Sequence, residues 1–461
     1  MIDVTRPMRI HIVGIGGAGM SAIATVLAAM GHQVSGSDLK ASTGLERLRA
    51  QGVAVFVGHD AAHVGDDVDV VAVSTAVQPH NPEVVAARDR GISVVRRAEV
   101  LAAISGARRT VAVAGTHGKT TTTSMVALVL RAAGFDPSFI IGGDVNEIGG
   151  GAAWSKGEWF VVEADESDGT FLELPVDVAI VTSVEADHLD HYGTAAAIED
   201  AFGRFLAGAS STRIVCADDP VAARLGAAAG AVTYGTSADA DYRIEELTVE
   251  RAGTRFVVTK GGAVVAAVEL PIPGAHNARN ATAALVTAIE LGAEVAPVTQ
   301  ALGRFGGVAR RFQFRGEAGG VTVVDDYAHN PGKVRAVLEA AHHGGWSRVV
   351  CVFQPHLYSR TASQGAELGS ALEAADVVVV TDVYGARESP QPGVTGMIVA
   401  AAAIDARPWR RLAYLPQRPD IVPYLGDVLR PGDLCLTLGA GDITSLAEDL
   451  LPVLAARPVR R

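Results

Sequence analysis

The apolar positions of this chain fall into short continuous runs separated by longer amphipathic stretches, the pattern of parallel strands alternating with helices. Residues 9–13, 34–38, 53–57 and 68–75 give a first set of strands, with an apolar helix over 20–30 between the first two. The rhythm runs on to Leu101 and breaks at Ser105-Gly-Ala-Arg-Arg109, which predicts a domain boundary. A second set opens with the strand beginning at Val111 and continues through 159–165, 178–184 and 213–217. After Tyr242 an alternating pattern takes over at 243–250, 254–260 and 263–270, with Lys260-Gly-Gly262 as a turn, and predicts an antiparallel annex. A second break near Arg310-Arg-Phe312 precedes a third set at 321–326, 348–353, 377–383 and 434–438. Those strands are almost wholly apolar, as in a sheet covered on both faces. The expected architecture is α/β in three domains: residues 1–107, residues 108–312 with a mostly parallel central sheet carrying the annex, and residues 313–461.

Length agrees with this division, since 461 residues exceed what one core ordinarily serves. The balance of 51 acidic against 39 basic residues, a net charge of -12, argues against nucleic acid and anionic membranes as partners. An anionic ligand must then be gripped by local loops and a few placed cations. The three cysteines, Cys216, Cys351 and Cys435, lie far apart without metal-ligand spacing and read as small buried apolar residues in a reducing compartment. No apolar run has the length of a membrane span, and the first residues lack a signal-peptide core. The expected location is the cytoplasm, with no obligate protein partner.

Two glycine loops offer the local grip. In Val111-Ala-Val-Ala-Gly-Thr-His-Gly-Lys-Thr-Thr-Thr-Thr123 a β-branched strand passes through Gly115, Thr116, His117 and Gly118 into Lys119, Thr120 and Thr121 at the head of a helix. Little bulk at Gly115 and Gly118 lets backbone N–H groups converge on a phosphate; Lys119 would reach its outer oxygens and the Thr120 hydroxyl a bound Mg²⁺. Val113 stands where the full phosphate-loop pattern has its first glycine, so the match is to the second half of that pattern. The other loop holds Gly14, Gly16, Gly17, Ala18 and Gly19 after the first strand, with Asp38 at the end of the second strand, 19 residues beyond Gly19. This is the dinucleotide fingerprint, and it cradles a pyrophosphate, which a nucleotide-sugar also carries. Ser37 and Asp38, and Ser74 and Thr75 at the end of a later strand, stand where ligands of open α/β sheets gather; Ser74 and Thr75 equally suit the start of a plain loop.

Strand ends carry the remaining candidates. Glu163-Ala-Asp-Glu-Ser-Asp168 puts four carboxylates in six residues, a density that calls for a cation such as triphosphate-bound Mg²⁺, with Glu163 as first ligand; the alternative is a solvated acidic turn. His188, in Glu185-Ala-Asp-His-Leu-Asp190, suits a second metal or the orientation of a carboxylate. Asn280, in His276-Asn-Ala-Arg-Asn280, is a helix cap or a partner for adenine or phosphate. Asp326 and His329 follow one strand of the third set, and His356 and Arg360 the next, where a guanidinium suits a carboxylate.

Taken in order with Arg310-Arg-Phe312, Asp325-Asp-Tyr327, Gln354-Pro-His356 and Gly439-Ala-Gly-Asp442, these motifs resemble the ATP-dependent Mur ligases of peptidoglycan assembly over essentially the whole chain. The resemblance implies a Rossmann-like N-terminal domain for a UDP-sugar, a central P-loop ATPase domain and a Rossmann-like C-terminal domain. It implies that ATP phosphorylates the lactyl carboxylate of UDP-N-acetylmuramate and that an amino acid's amine attacks the acyl phosphate. Carried over residue by residue, Lys119 stabilises the transferring phosphoryl group, Thr120 and Glu163 hold Mg²⁺, and His188 serves a second metal. Asn280, Arg311 and Asp326 bind the nucleotide, while His329, His356 and Arg360 face the amino acid. No lysine occurs between Lys156 and Lys260, so the carbamoylated lysine of several family members is absent. The family's D-D-Y-x-H-H-P-T-E reads here with Asn330, Gly332 and Lys333; L-alanine is the first expectation, with glycine and L-serine as alternatives. A murein-tripeptide recycling ligase and a nucleotide-driven switch are further alternatives. A nicotinamide-dependent dehydrogenase would rest on the first glycine loop and leave Lys119 and the carboxylates unexplained.

Overall fold

In the computed structural model, which describes residues 2–74, 76–143, 145–250, 253–386 and 388–457, the apolar runs build three sheets. The first has five parallel strands in the order Ala54–Val57, Gln33–Asp38, Arg9–Val13, Val70–Val73, Ser93–Arg96. Strand order reverses about Arg9–Val13, so the glycine loop leaves at the crevice such a reversal creates.

In the ten-stranded second sheet, Arg109–Ala114 lies between Val178–Val181 and Trp159–Glu163 and runs parallel to both. The segments starting at Gly115, Ala164 and Thr182 therefore leave one sheet edge side by side. The annex is the antiparallel hairpin of Gly253–Lys260 and Ala263–Leu270, whereas Tyr242–Glu250 joins the sheet parallel to Val232–Gly235. The third sheet runs Gln313–Ala318, Val321–Asp326, Asp433–Leu438, Arg348–Phe353, Val377–Val380, Arg411–Tyr414, with the first strand antiparallel to its neighbour and the rest parallel.

The chain forms two compact units, Met1–Thr248 with Gly253–Gly306, and Val249–Ala252 with Gly307–Arg461. Three sheets give two units because the first two sheets share an apolar core, which runs from Ile12, Val26 and Leu101 through Phe160 and Val162 to Phe171 and Phe202. In the second unit, alternate residues of the same strands enter two clusters: Val324, Cys351 and Leu434 in one, Val323, Val350 and Cys435 in the other. Both faces are covered, which is why these strands read as unbroken apolar runs. All three cysteines are buried and free. Among the described residues no helix is long and apolar enough to cross a membrane.

Some expected strands are shorter in the structure. The run at 68–75 pairs over Val70–Val73, and that at 377–383 over Val377–Val380. The apolar pattern does not predict the strands Ser138–Ile140, Val232–Gly235, Gln313–Ala318 and Arg411–Tyr414; three or four residues, or a polar run such as Gln313–Ala318, give too little periodic signal without the neighbouring strand.

The helix Lys119–Ala132 opens with Lys-Thr-Thr-Thr-Thr-Ser, a poor helix former by propensity. Packing and back-bonding hold it. Thr123 Oγ1 donates to Lys119 O at 2.8 Å and Ser124 Oγ to Thr120 O at 2.6 Å, satisfying hydroxyls that are buried. It packs along Ala275–Glu290, where buried Thr282 and Thr287 do the same.

Directly after the carboxylate segment, the turn Thr170–Glu173 is pinned by Phe171, whose buried ring stacks at 5.2 Å on Phe205 and meets Phe202 edge-on at 5.3 Å. Phe171→Ala is expected to remove about 3–5 kcal/mol from the unfolding free energy, measured by urea denaturation. A loss below about 1 kcal/mol would show that the turn does not depend on this ring.

Candidate active site

The phosphate-type loop runs where side chains do not fit. Gly118 has φ +80°, and a Cβ there would lie 2.7 Å from Asn280 Oδ1; a Cβ on Gly115 would overlap the Thr182 hydroxyl. The end of the next strand braces the loop. Thr116 N–H donates to Ser183 O and His117 N–H to Ser183 Oγ, both at 3.0 Å. The Thr182 hydroxyl donates to His117 O, and Glu185 N–H to Thr116 Oγ1 at 2.9 Å. The helix beginning at Lys119 offers first-turn N–H groups that its own carbonyls cannot satisfy, the usual seat for an anion.

Lys119 Nζ donates to Gly115 O and to Glu166 Oε1, each at 2.7 Å. Glu163 lies on the other side of the loop, accepting from the Thr120 hydroxyl at 3.0 Å and from Gly142 N–H at 2.9 Å. The four-carboxylate segment is thus divided rather than gathered on one cation. Glu163 and Glu166 face the loop, Asp168 pairs with Arg97 at 3.1 Å, and Asp165 accepts from Ser167 N–H. Glu166 is 2% exposed, and its Oε2 has no hydrogen-bond partner among the described residues. Burial pushes its carboxyl above the ordinary range against the pull of Lys119. His188, at the left-handed φ of 54°, places Nε2 3.7 Å from Glu166 Oε1. His117 Nε2 lies 3.2 Å from Glu185 Oε2.

In the first sheet, Gly14 has φ +79°, and the N–H groups of Gly14 and Ile15 donate to Ser37 O at 2.8 and 3.0 Å. Gly16 N–H donates to Asp38 Oδ2 at 2.9 Å, so the fingerprint acid also closes the loop. Gly17 caps the helix Ala18–Ala29. The Ser74 hydroxyl lies 3.9 Å from where a Gly14 Cβ would stand, and a Cβ on Gly19 would be 3.2 Å from Arg97 Nη1. Ser37 departs from its expected role: it is fully buried, and its hydroxyl donates to Glu83 at 2.5 Å, so it faces the interior and not a ligand. Thr75 lies outside the described residues.

The second unit brings its candidates to one sheet edge. Asp326 is buried and accepts from Phe312 N–H and Ala328 N–H, both at 2.7 Å, which ties the end of its own strand to the start of the antiparallel neighbour Gln313–Ala318; burial raises its carboxyl against the pull of Arg311. Arg311 stands 5.8 Å from the Tyr327 ring. His329 Nδ1 lies 2.8 Å from Tyr327 O, and its ring is 5.9 Å from that of His356, which stacks on Tyr384. Arg360 Nη1 lies 3.4 Å from His356 Nδ1. Asn330 caps the helix Pro331–His343 by accepting from Lys333 N–H at 2.9 Å, a structural use for a position where the sequence departs from its resemblance.

The residues near Lys119 fit Mg²⁺ carried by a triphosphate. A hydroxyl and a carboxylate, Thr120 and Glu163, stand together at the helix start, and the buried Glu166 Oε2 is a second hard oxygen nearby. No group of three or more His, Cys, Asp or Glu among the described residues could hold a metal alone, and Mg²⁺ shared with phosphates needs no such cage. Sequence reasoning left unassigned Glu166, Thr182, Ser183, Arg97 and Arg310, which bridges Gly439 O and Gly441 O. Thr182 and Ser183 directly follow the strand Val178–Val181, a position the strand-end rule flags.

Comparison with known proteins gives the family. Residues 9–109 match the Mur ligase family, catalytic domain, residues 113–288 the Mur ligase middle domain, and residues 310–441 the Mur ligase, glutamate ligase domain. The chain is 49% identical to a UDP-N-acetylmuramate–L-alanine ligase of Kineococcus radiotolerans, covering 98% of each chain. It is 48% identical to that of Saccharopolyspora erythraea, over 97% of this chain and 94% of the relative. Among solved structures, the UDP-N-acetylmuramate-alanine ligase of Thermotoga maritima superimposes with a TM-score of 0.81 at 31% identity, over 96% of this chain and 98% of that one. A murein peptide ligase from Psychrobacter arcticus gives 0.71 at 25% identity, over 98% and 99%. With two glycine loops, a lysine-headed helix and nearly full-length relatives in accord, the chain belongs to the Mur ligase family.

Proposed function

We propose that this chain is an ATP-dependent ligase joining L-alanine to the lactyl carboxylate of UDP-N-acetylmuramate in the supply of peptidoglycan precursor. One observation carries the reading: a single compact unit holds both a pyrophosphate-type glycine loop at Gly14–Gly19 and a lysine-headed triphosphate-type loop at Gly115–Thr121. A dehydrogenase needs only the first loop and a nucleotide switch only the second. The names of the full-length relatives support the choice of substrates.

In this reading a lactyl carboxylate oxygen attacks the γ-phosphorus of ATP and ADP leaves. The deprotonated amine of L-alanine then attacks the acyl carbon, and inorganic phosphate leaves. Carboxylate and triphosphate repel each other, so the protein's task is alignment and charge neutralisation. Lys119, already desolvated beside Glu166, offers a cation to the transferring phosphoryl group. Thr120 and Glu163 would hold Mg²⁺, which supplies further neutralisation when bound, and His188 is the candidate for a second ion. The loop residues Gly115, Thr116, His117, Gly118 and Thr121 would line the phosphates. Asn280, buried against Gly118, and Arg311 and Asp326 of the second unit are the further nucleotide candidates. Gly14, Gly16, Gly17, Ala18, Gly19, Asp38 and Ser74 would receive the UDP-sugar. Arg360 would take the amino-acid carboxylate beside His329 and His356.

Mg-ATP, UDP-N-acetylmuramate and a panel of single amino acids test the reading. Phosphate release that needs both the sugar nucleotide and L-alanine is expected. Release from ATP alone, release with a murein tripeptide but not with alanine, or hydride transfer to NAD would each overturn it.

Lys119→Met is expected to lower turnover by roughly 10²–10³-fold or more, because a charge aimed at the transition state is lost. It also strands Glu166 in the interior, at a cost of about 3–5 kcal/mol. Adding Glu166→Gln should return stability without returning activity; recovery of near-normal turnover in the double variant would refute the role of Lys119.

Burial holds the His329 imidazole down at about 3, against the hydrogen bond to Tyr327 and with the help of Arg360, Lys333 and His356. Its folded value lies below the unfolded one of about 6.5, so its contribution is complete above pH 6.5 and is lost as the pH falls toward 3. At pH 5 the loss should be roughly 2 kcal/mol, and His329→Gln should flatten the stability profile between pH 6.5 and 5. An equally steep fall in the variant, by chemical denaturation, would contradict this.

A further inference from the structure

Next to the Gly14–Gly19 loop lies a buried carboxylate ringed by histidines. Glu83 opens the helix Pro82–Asp89, donating its N–H to the capping Asn81 Oδ1 at 2.9 Å, and its side chain is 0% exposed. Its Oε2 accepts from the Ser37 hydroxyl at 2.5 Å and lies 3.2 Å from His59 Nδ1, while Oε1 lies 2.8 Å from His63 Nδ1. His59 Nδ1 is also 3.0 Å from Ser37 Oγ. From the strand Arg9–Val13, His11 directs Nε2 to within 3.8 Å of Oε2, and that nitrogen has no hydrogen-bond partner among the described residues. Asp60 N–H reaches Oε1 at 3.5 Å. Burial pushes the Glu83 carboxyl up, but the nearby His11 ring together with hydrogen bonds from Ser37 and His63 outweighs it and holds the group below the usual carboxylate range.

A carboxylate taken out of water is costly unless its acceptor sites are used, and here the hydrogen bonds come from the strand Gln33–Asp38 and the segment 59–63, with His11 as a longer contact from a third strand. Ser37 is the link to function. The residue whose hydroxyl donates to Glu83 also presents the carbonyl that receives the N–H groups of Gly14 and Ile15. We infer that Glu83 is a positioning residue for the nucleotide-sugar loop, fixing Ser37 and, through the Ser37 carbonyl, the Gly14–Ile15 backbone that receives the pyrophosphate. The inference rests on the proposed reading of that loop as the UDP-sugar site. The phosphate-type loop takes its bonds from Ser183, so it should not feel the change.

Calorimetric titration of the full chain with UDP-N-acetylmuramate, and separately with a non-hydrolysable ATP analogue, tests this. Glu83→Ala should weaken the sugar nucleotide by about tenfold or more and the ATP analogue by less than about twofold. Ser37→Ala should act in the same direction, and the double variant should be no worse than the weaker single. Glu83→Gln keeps the shape and one acceptor for Ser37; it should give a smaller, several-fold loss, and it decides the matter where the alanine variant does not fold. Equal weakening of both ligands together with a lowered Tm, or undiminished sugar binding by a folded Glu83 variant, would overturn the inference alone. Failure of the unmodified chain to bind UDP-N-acetylmuramate would instead overturn the reading of the loop, and this inference with it.

Discussion

In the reading proposed here, a protein of net charge -12 that is to hold a triphosphate depends on one cation kept in the right place, and the Lys119–Glu166 pair would keep it there. The Lys119 side chain is 13% exposed, its ammonium clamped between a backbone carbonyl and a carboxylate that burial drives toward neutrality. Such a pair adds little to net stability, but losing either member leaves an uncompensated group in the interior. Lys119 is largely desolvated before any phosphate arrives, so in that reading little reorganisation is left for the moment of reaction.

The two glycine loops of the first unit are braced alike. In one, the N–H groups of Gly14 and Ile15 donate to Ser37; in the other, those of Thr116 and His117 donate to Ser183. Each serine stands at or just beyond the carboxyl end of the strand beside the loop, so parallel pairing itself delivers the brace. What differs is the anchor behind it. Ser183 bonds the loop directly through both its hydroxyl and its carbonyl, whereas Ser37 turns its hydroxyl inward to Glu83 and leaves the carbonyl to hold the loop.

Much of this is legible in the sequence. The glycines, Lys119 and the long apolar strands declare themselves because their chemistry is local: a turn that excludes Cβ, a helix start, a period. The division of labour among Glu163, Asp165, Glu166 and Asp168 was not legible, since four similar acids in one short segment are separated only by which neighbours the fold supplies, Thr120, Lys119 and Arg97 among them. Ser37 read as a ligand contact because its strand-end position is right; its inward rotation depends on Glu83, 46 residues away. Asn330, legible in the sequence only as a departure from the family's pattern, caps a helix. The shared core of the first two sheets is likewise a tertiary fact that no local pattern carries.

The central claim, that Lys119 is a pre-desolvated cation awaiting phosphate, is tested most directly by a crystal structure of the chain with Mg²⁺ and a non-hydrolysable ATP analogue. The account predicts phosphate oxygens against the first turn of Lys119–Ala132, with Lys119 Nζ drawn from Gly115 O toward them. A nucleotide seated elsewhere, with the Lys119–Glu166 and Lys119–Gly115 bonds unchanged and the loop empty, would contradict it.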